Sequence, residues 1–137
     1  MFKLSTKFLI VDDFSNTRKI IKKILQDIGY DNALEASDGY KAYQLLVEHA
    51  KSTLPFEFVI LDWNMPTMSG IDLLKKCRKD EVFKNVPFMF VTAEGEQPQV
   101  TEAMNLGAIE YVIKPFSPAQ LKEKLNSAYK KSVSIKP

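Results

Sequence analysis

The sequence predicts an α/β fold, a doubly wound three-layer sandwich in which five βα units build a parallel five-stranded sheet. Three observations lead there. Five short apolar runs recur along the chain, and four of them, "FLIV", "FVIL", "FMFV" and "YVI", are continuous rather than alternating, the pattern of strands covered on both faces. Segments with apolar residues three and four apart come after the runs, so strands alternate with helices, and right-handed crossovers then place helices on both faces. Finally, 137 residues supply one core of ordinary size, whereas a closed barrel would need eight repeats.

The strands are expected at Phe8 to Val11, Asn32 to Ala36 (the weakest), Phe58 to Leu61, Phe88 to Val91 and Tyr111 to Ile113. The first helix is expected from Ser15 to Gly29. Ile20, Ile21, Ile24, Leu25 and Ile28 make its apolar face, Ser15 can cap its start, and Gly29 suits a left-handed stop. The second runs from about Gly39 to Ala50 with Ala42, Leu45 and Leu46 inward. The third covers Ser69 to about Lys79, where Ser69 and Asp72 have capping-box-like spacing. A fourth is expected from Pro98 to Leu106 before Gly107. The fifth starts at "SPAQL" with Ser117 as cap, Pro118 at the first helical position, and Leu121, Leu125 and Ala128 on one face. "KSTLPFE" reads as a slightly long surface loop and "SVSIKP" as a frayed end. The whole, residues 1–137, is expected to be one domain.

Bulk properties exclude several classes. A net charge of +2, from 19 basic and 17 acidic residues, is too mild for a nucleic-acid partner. Lys122, Lys124, Lys130, Lys131 and Lys136 near the end fit a solvated helix face. No apolar run approaches the roughly eighteen residues of a membrane span, and the start lacks a signal-peptide core, so a cytoplasmic protein is expected. The single cysteine, Cys77, permits no internal disulfide. Neither it nor the single histidine, His49, can build a zinc site, and both are expected to be ordinary helix residues.

The chemistry lies at the ends of the apolar runs. Asp12 and Asp13 stand after the first, Asp62 after the third, Thr92 after the fourth and Lys114 after the fifth. Strands of a parallel sheet all end on one edge, the edge where open α/β folds place ligands, so these five side chains converge. Taken singly, each could be a cap or loop residue. Together, three carboxylates repel one another unless a cation joins them, and oxygen-only ligands on an open edge favour Mg²⁺. Metal binding alone needs neither Lys114 nor Thr92. An ammonium and a hydroxyl suit the oxygens of a phosphoryl group. The residues therefore point to an aspartate that becomes an acyl phosphate, with Asp62 preferred as nucleophile because Asp12 and Asp13 form a pair better suited to holding metal and its waters.

At these residues the motifs "FLIVDDFSNTRKIIKKIL", "VILDWNMPTMSGIDLLK", "FVTAEGE" and "YVIKPF" closely resemble the receiver domain of two-component response regulators, nearest in its single-domain chemotaxis branch. The likeness runs from about Lys7 to Lys130. It implies a flavodoxin-like fold with strand order 2-1-3-4-5, the order known for that branch and carried over from it. It implies that Asp62 takes a phosphoryl group from a CheA-like sensor histidine kinase. Asp13, Asp62 and the main-chain carbonyl of Asn64 would bind Mg²⁺, with Asp12 acting mainly through water. Thr92 and Lys114 would contact the phosphoryl oxygens, and the Lys114–Pro115 peptide would be cis. Asn64 and Glu94 would tune hydrolysis, Tyr111 would be the gating aromatic, and Trp63 would pack beside the site. The phosphorylated form would bind a FliM-like flagellar motor switch protein and change rotation. The chain would be a monomer that is not an enzyme in its own right, phosphorylating and resetting itself, in some systems with a phosphatase. Phosphate at Asp62 would draw Thr92 inward and open space for the Tyr111 ring, changing the surface of the fourth helix, fifth strand and fifth helix.

One departure bears on partners: "GEQPQ", Gly95 to Gln99, stands where the best-known chemotaxis members carry a lysine pair. The loop at "KSTLPFE" is a few residues longer and the tail after Lys130 extends further than usual, and neither is expected to touch the acidic site. The same chemistry could also serve a phosphorelay intermediate, a phosphate sink, or the receiver of a longer regulator. A phosphatase of the haloacid dehalogenase class wants Asp-x-Asp after its first strand, where this chain has adjacent aspartates. No Gly-x-Gly-x-x-Gly turn or P-loop comes after any strand.

Overall fold

The computed structural model describes residues 1–135, with side-chain surroundings through 133. Five strands, β1 (Phe8–Val11), β2 (Ala33–Ala36), β3 (Phe58–Leu61), β4 (Phe88–Thr92) and β5 (Glu110–Ile113), alternate with five helices. These are α1 (Ser15–Ile28), α2 (Gly39–Ala50), α3 (Gly70–Arg78), α4 (Gln97–Asn105) and α5 (Pro118–Ile135). All strand pairs are parallel, in the order β2-β1-β3-β4-β5. The doubly wound fold is thus as expected.

The continuous apolar runs are explained by two cores, one on each face of the sheet. Leu9, Val11, Val59, Leu61, Phe88 and Phe90 pack with Ala42, Leu46, Leu73, Leu74 and Ala103 from α2, α3 and α4. Their neighbours Phe8, Ile10, Phe58, Ile60, Met89 and Val91 point the other way, onto Ile21, Ile24, Leu25, Leu121, Leu125 and Ala128 of α1 and α5. Each of these strands therefore has no solvent face to mark with polar residues.

Several element ends differ from expectation. Ser15 does not cap α1: the N-cap is Phe14, without a side-chain cap, and Asp12 Oδ1 accepts from the Phe14 N–H at 2.9 Å instead. Ile20 points outward and is exposed, because the buried stripe needs only Ile21, Ile24 and Leu25. Leu45 is only partly buried. Asn32 precedes β2, Thr92 ends β4, Glu110 begins β5, and α4 starts at Gln97. The "SVSIKP" segment is not frayed through Ile135, since α5 continues to that residue; Lys136 and Pro137 lie outside the described residues. Gly29 takes the left-handed stop at φ 118°. Ser69 Oγ accepts from Asp72 N–H at 3.2 Å, and Ser117 and Gln120 form a reciprocal capping box at α5.

At the edge opposite the carboxyl ends, Arg78 closes α3. Its guanidinium donates to the carbonyls of Leu106 (3.0 Å), Gly107 (3.1 Å) and Val86 (3.0 Å) and lies over the Phe88 ring. It holds the segments entering β4 and β5 to one helix end. Cys77 is buried beside it, and burial pushes its thiol up to about 12, leaving it inert as expected. His49 is less ordinary than expected: its Nδ1 meets the Lys7 ammonium at 2.5 Å, over the Phe56 ring.

Candidate functional site

The sheet ladder continues one residue past three strands. Asp12 N–H donates to the Ala36 carbonyl (3.1 Å), Asp62 N–H to that of Val11 (2.9 Å), and Lys114 N–H to that of Thr92 (2.9 Å). Backbone pairing therefore fixes the residues from which the site projects. This rigid edge is a better platform than a free loop.

The side chains converge as the strand ends predict. Lys114 Nζ lies 2.8 Å from Asp12 Oδ2 and 3.1 Å from Asp62 Oδ2. Each of these carboxylates spends its other oxygen on its own loop: Asp12 Oδ1 on Phe14 N–H, and Asp62 Oδ1 on Trp63 N–H at 2.7 Å. Asp13 stands exposed beside them, and one oxygen from each of the three aspartates lies within 4.8 Å of the others. Oxygen donors alone, part buried and part open, fit a hard cation that keeps some of its water. The residues could hold a metal there.

Electrostatics reflect that packing. Burial pushes the Asp12 carboxyl up, and the Lys114 ammonium and the Phe14 N–H pull it only part of the way back, so it ends above its usual value. Burial alone would lower Lys114, yet its hydrogen bond to Asp12 and the charges of Asp62 and Asp12 outweigh it and leave the amine above its usual value. Lys114 is firmly a cation.

The remaining expected residues ring the aspartates. Thr92 is buried at the end of β4, where its hydroxyl accepts from the Glu94 N–H at 3.2 Å. Asn64 Nδ2 donates to Glu94 Oε1 at 2.5 Å, bridging the loops after β3 and β4. The Tyr111 hydroxyl donates to the Glu94 carbonyl, and Trp63 packs on Phe90 at 5.4 Å. The Lys114–Pro115 peptide is cis. Thr67, in the loop after β3, sits at φ 65°.

Arg18 is a supporting residue that sequence reasoning does not single out. From the first turn of α1 it donates to the Asp12 carbonyl at 2.6 Å and pairs with Glu35 of β2 at 3.0 Å, steadying the acidic loop from outside. Nothing local marks it, because its partner is seventeen residues away in sequence.

A parallel sheet whose C-terminal edge carries three aspartates, a strand-end threonine and a lysine before a cis proline places the chain among doubly wound α/β proteins with an acidic site at the strand ends. The response regulator receiver domain family matches residues 8–126, and the chain belongs to it. It is a CheY-like receiver. It is 46% identical over 125 residues to the chemotaxis protein CheY-3 of Vibrio cholerae, covering 91% of this chain and 92% of that one. It is also 46% identical over 125 residues to the chemotaxis protein CheY of Pseudomonas aeruginosa, covering 91% and 97%. Among solved structures, CheY4 of Vibrio cholerae superposes with a TM-score of 0.77 at 32% identity, covering 90% of this chain and 98% of that one. No helix among the described residues is long and apolar enough to cross a membrane.

Proposed function

We propose that the chain is a chemotaxis response regulator in which Asp62 accepts a phosphoryl group from the phosphohistidine of a sensor histidine kinase. The observation that carries this is the placing of Lys114 between Asp12 and Asp62, within an acidic group open to solvent at Asp13. A structural ion pair would have no need of the third carboxylate. In the transfer, Asp62 Oδ2 forms the new O–P bond while the P–N bond to the donor imidazole breaks, and water later cleaves the acyl phosphate to inorganic phosphate. When bound, Mg²⁺ would offset the charge of the transferred group; Asp13, Asp62 and the Asn64 carbonyl would hold it, with Asp12 acting through water.

The chain's own groups do the rest. Lys114 exchanges its contact with Asp62 for the phosphoryl oxygens, to which Thr92 turns its hydroxyl. Asn64 and Glu94, joined across the mouth, govern the approach of water. Roughly 1.5 to 2 added negative charges bias the loop after β4, and with it Tyr111, between two positions. Partners read the surface formed by α4, β5 and α5, and the flagellar motor switch protein is the proposed target. Its amino-terminal segment, immobilised, should retain more protein when a phosphoryl mimic and Mg²⁺ are present; equal retention in both states would remove the motor role.

The chemistry is tested directly by mass. Incubation with Mg²⁺ and acetyl phosphate should add one phosphoryl group to the wild type and none to Asp62→Asn. An unchanged gain in the variant would sink the assignment.

A further inference from the structure

The aromatic residues beneath the acidic edge form a continuous row from β3 to β5. Trp63 and Phe90 have ring centroids 5.4 Å apart, and Phe90 and Tyr111 stack at 5.6 Å with planes 28° apart. Phe90 is fully buried in the middle of the row, and Tyr111 is 8% exposed at its end. The Tyr111 hydroxyl is tied to the Glu94 carbonyl, and burial pushes its phenol up to about 12, so it stays a donor. Phe90 is itself held from behind. A Cβ at Gly70 would stand 3.1 Å from Phe90 Cε1 and 2.0 Å from the Asp62 carbonyl, so the start of α3 presses on both at once.

We propose that Phe90 is the positioning residue that seats the Tyr111 ring inward and couples it to Trp63 at the end of β3. The two groups that hold the ring, the Phe90 face and the Glu94 carbonyl, include neither Asp62 nor Lys114. How far Tyr111 leans inward is then set by the chain itself, and phosphoryl input adds to that bias. The surface of α4, β5 and α5 therefore starts from a population that Phe90 determines. The inference rests on Tyr111 being the gating ring. It goes further in assigning the strength of the seat to a residue outside the phosphoacceptor group.

The test is fluorine NMR of the full chain labelled with 3-fluorotyrosine, with the Tyr111 signal assigned by Tyr111→Phe. Phe90→Met keeps an apolar side chain and removes the ring. It should move the Tyr111 signal toward that of a solvent-exposed tyrosine, a change of about threefold to tenfold in the inward population. Mg²⁺ with beryllium fluoride should drive it part of the way back. An unmoved Tyr111 signal in folded Phe90→Met overturns the proposal. A wild-type signal indifferent to beryllium fluoride, alongside a displaced signal in Phe90→Met, supports the seat while removing the phosphate gate. Should Phe90→Met not fold, Tyr111→Leu gives the reciprocal measurement. Trp63 emission must shift through Phe90, and constant emission overturns the coupling.

Discussion

Lys114 Nζ stands closer to Asp12 Oδ2, at 2.8 Å, than to the Oδ2 of Asp62, at 3.1 Å. The ammonium thus serves the more buried carboxylate first, and it can leave Asp62 without leaving its counterion behind. In the proposed metal site it would also compete with a cation for Asp62. Lys114→Met removes that competitor. Repulsion between the ammonium and a bound dication at the open edge, reduced by solvent, is on the order of 1–2 kcal/mol. Mg²⁺ should therefore bind about tenfold more tightly, read by Trp63 fluorescence, while phosphoryl uptake from acetyl phosphate slows by about tenfold or more. Faster uptake in the variant would contradict the role given to Lys114.

Glu110 supplies a pH-dependent part of the stability. It is buried at the start of β5, where Lys131 (2.8 Å), Lys124 (3.4 Å) and the Ser127 hydroxyl (2.6 Å) surround it. Burial pushes its carboxyl up, but the Lys131 and Ser127 hydrogen bonds and the two lysine charges outweigh that and leave it below the ordinary 4.5. A lowered folded value stabilises the fold above the unfolded one, and the gain disappears as pH falls from 4.5 through the folded value. Glu110→Gln should cost about 1–2 kcal/mol at pH 7. In urea titrations, the gap from wild type should close steadily below about pH 4.5. A gap that widens on acidification would mean that the fold raises the Glu110 carboxyl instead of lowering it.

Thr67 is a β-branched residue held at φ 65°, the centre of a three-residue turn closed by Met68 N–H on the Pro66 carbonyl at 2.8 Å. Left-handed backbone costs an L-residue about 1–2 kcal/mol, and glycine avoids that cost. Part of the gain is offset by the freer unfolded chain. Thr67→Gly should raise stability by about 0.5–1 kcal/mol, seen as a higher melting temperature. A lower melting temperature would show that the side chain, though exposed, supports the loop.

The sheet and its acidic edge were legible because both depend on short, local signals. Four apolar runs and the polar residue after each were enough to bring Asp12, Asp62, Thr92 and Lys114 to one edge. Residues whose roles are set by distant partners were not. Arg18 acts through Glu35 and the Asp12 carbonyl, Glu110 through two lysines about two turns apart on α5, and His49 through Lys7 across 42 positions. Ser15 failed as a cap because the helix begins one residue early for it: Phe14 is the N-cap and Ser15 already lies inside the first turn, an offset that composition at the helix start does not reveal. Ile20 shows the limit of periodicity, since a helix on one face of a sheet buries a narrower stripe than its apolar residues could fill.

The three carbonyls gathered by Arg78 have a mechanical meaning. A surface with two positions can do work on a partner only if something else stays still, and the entrances to β4 and β5 are moored to the end of α3 by one cation. The strands that bring Thr92 and Lys114 to the acidic edge are thus tied at their entrances by a single side chain, and any displacement made by the proposed switch would have to be taken up at their carboxyl ends.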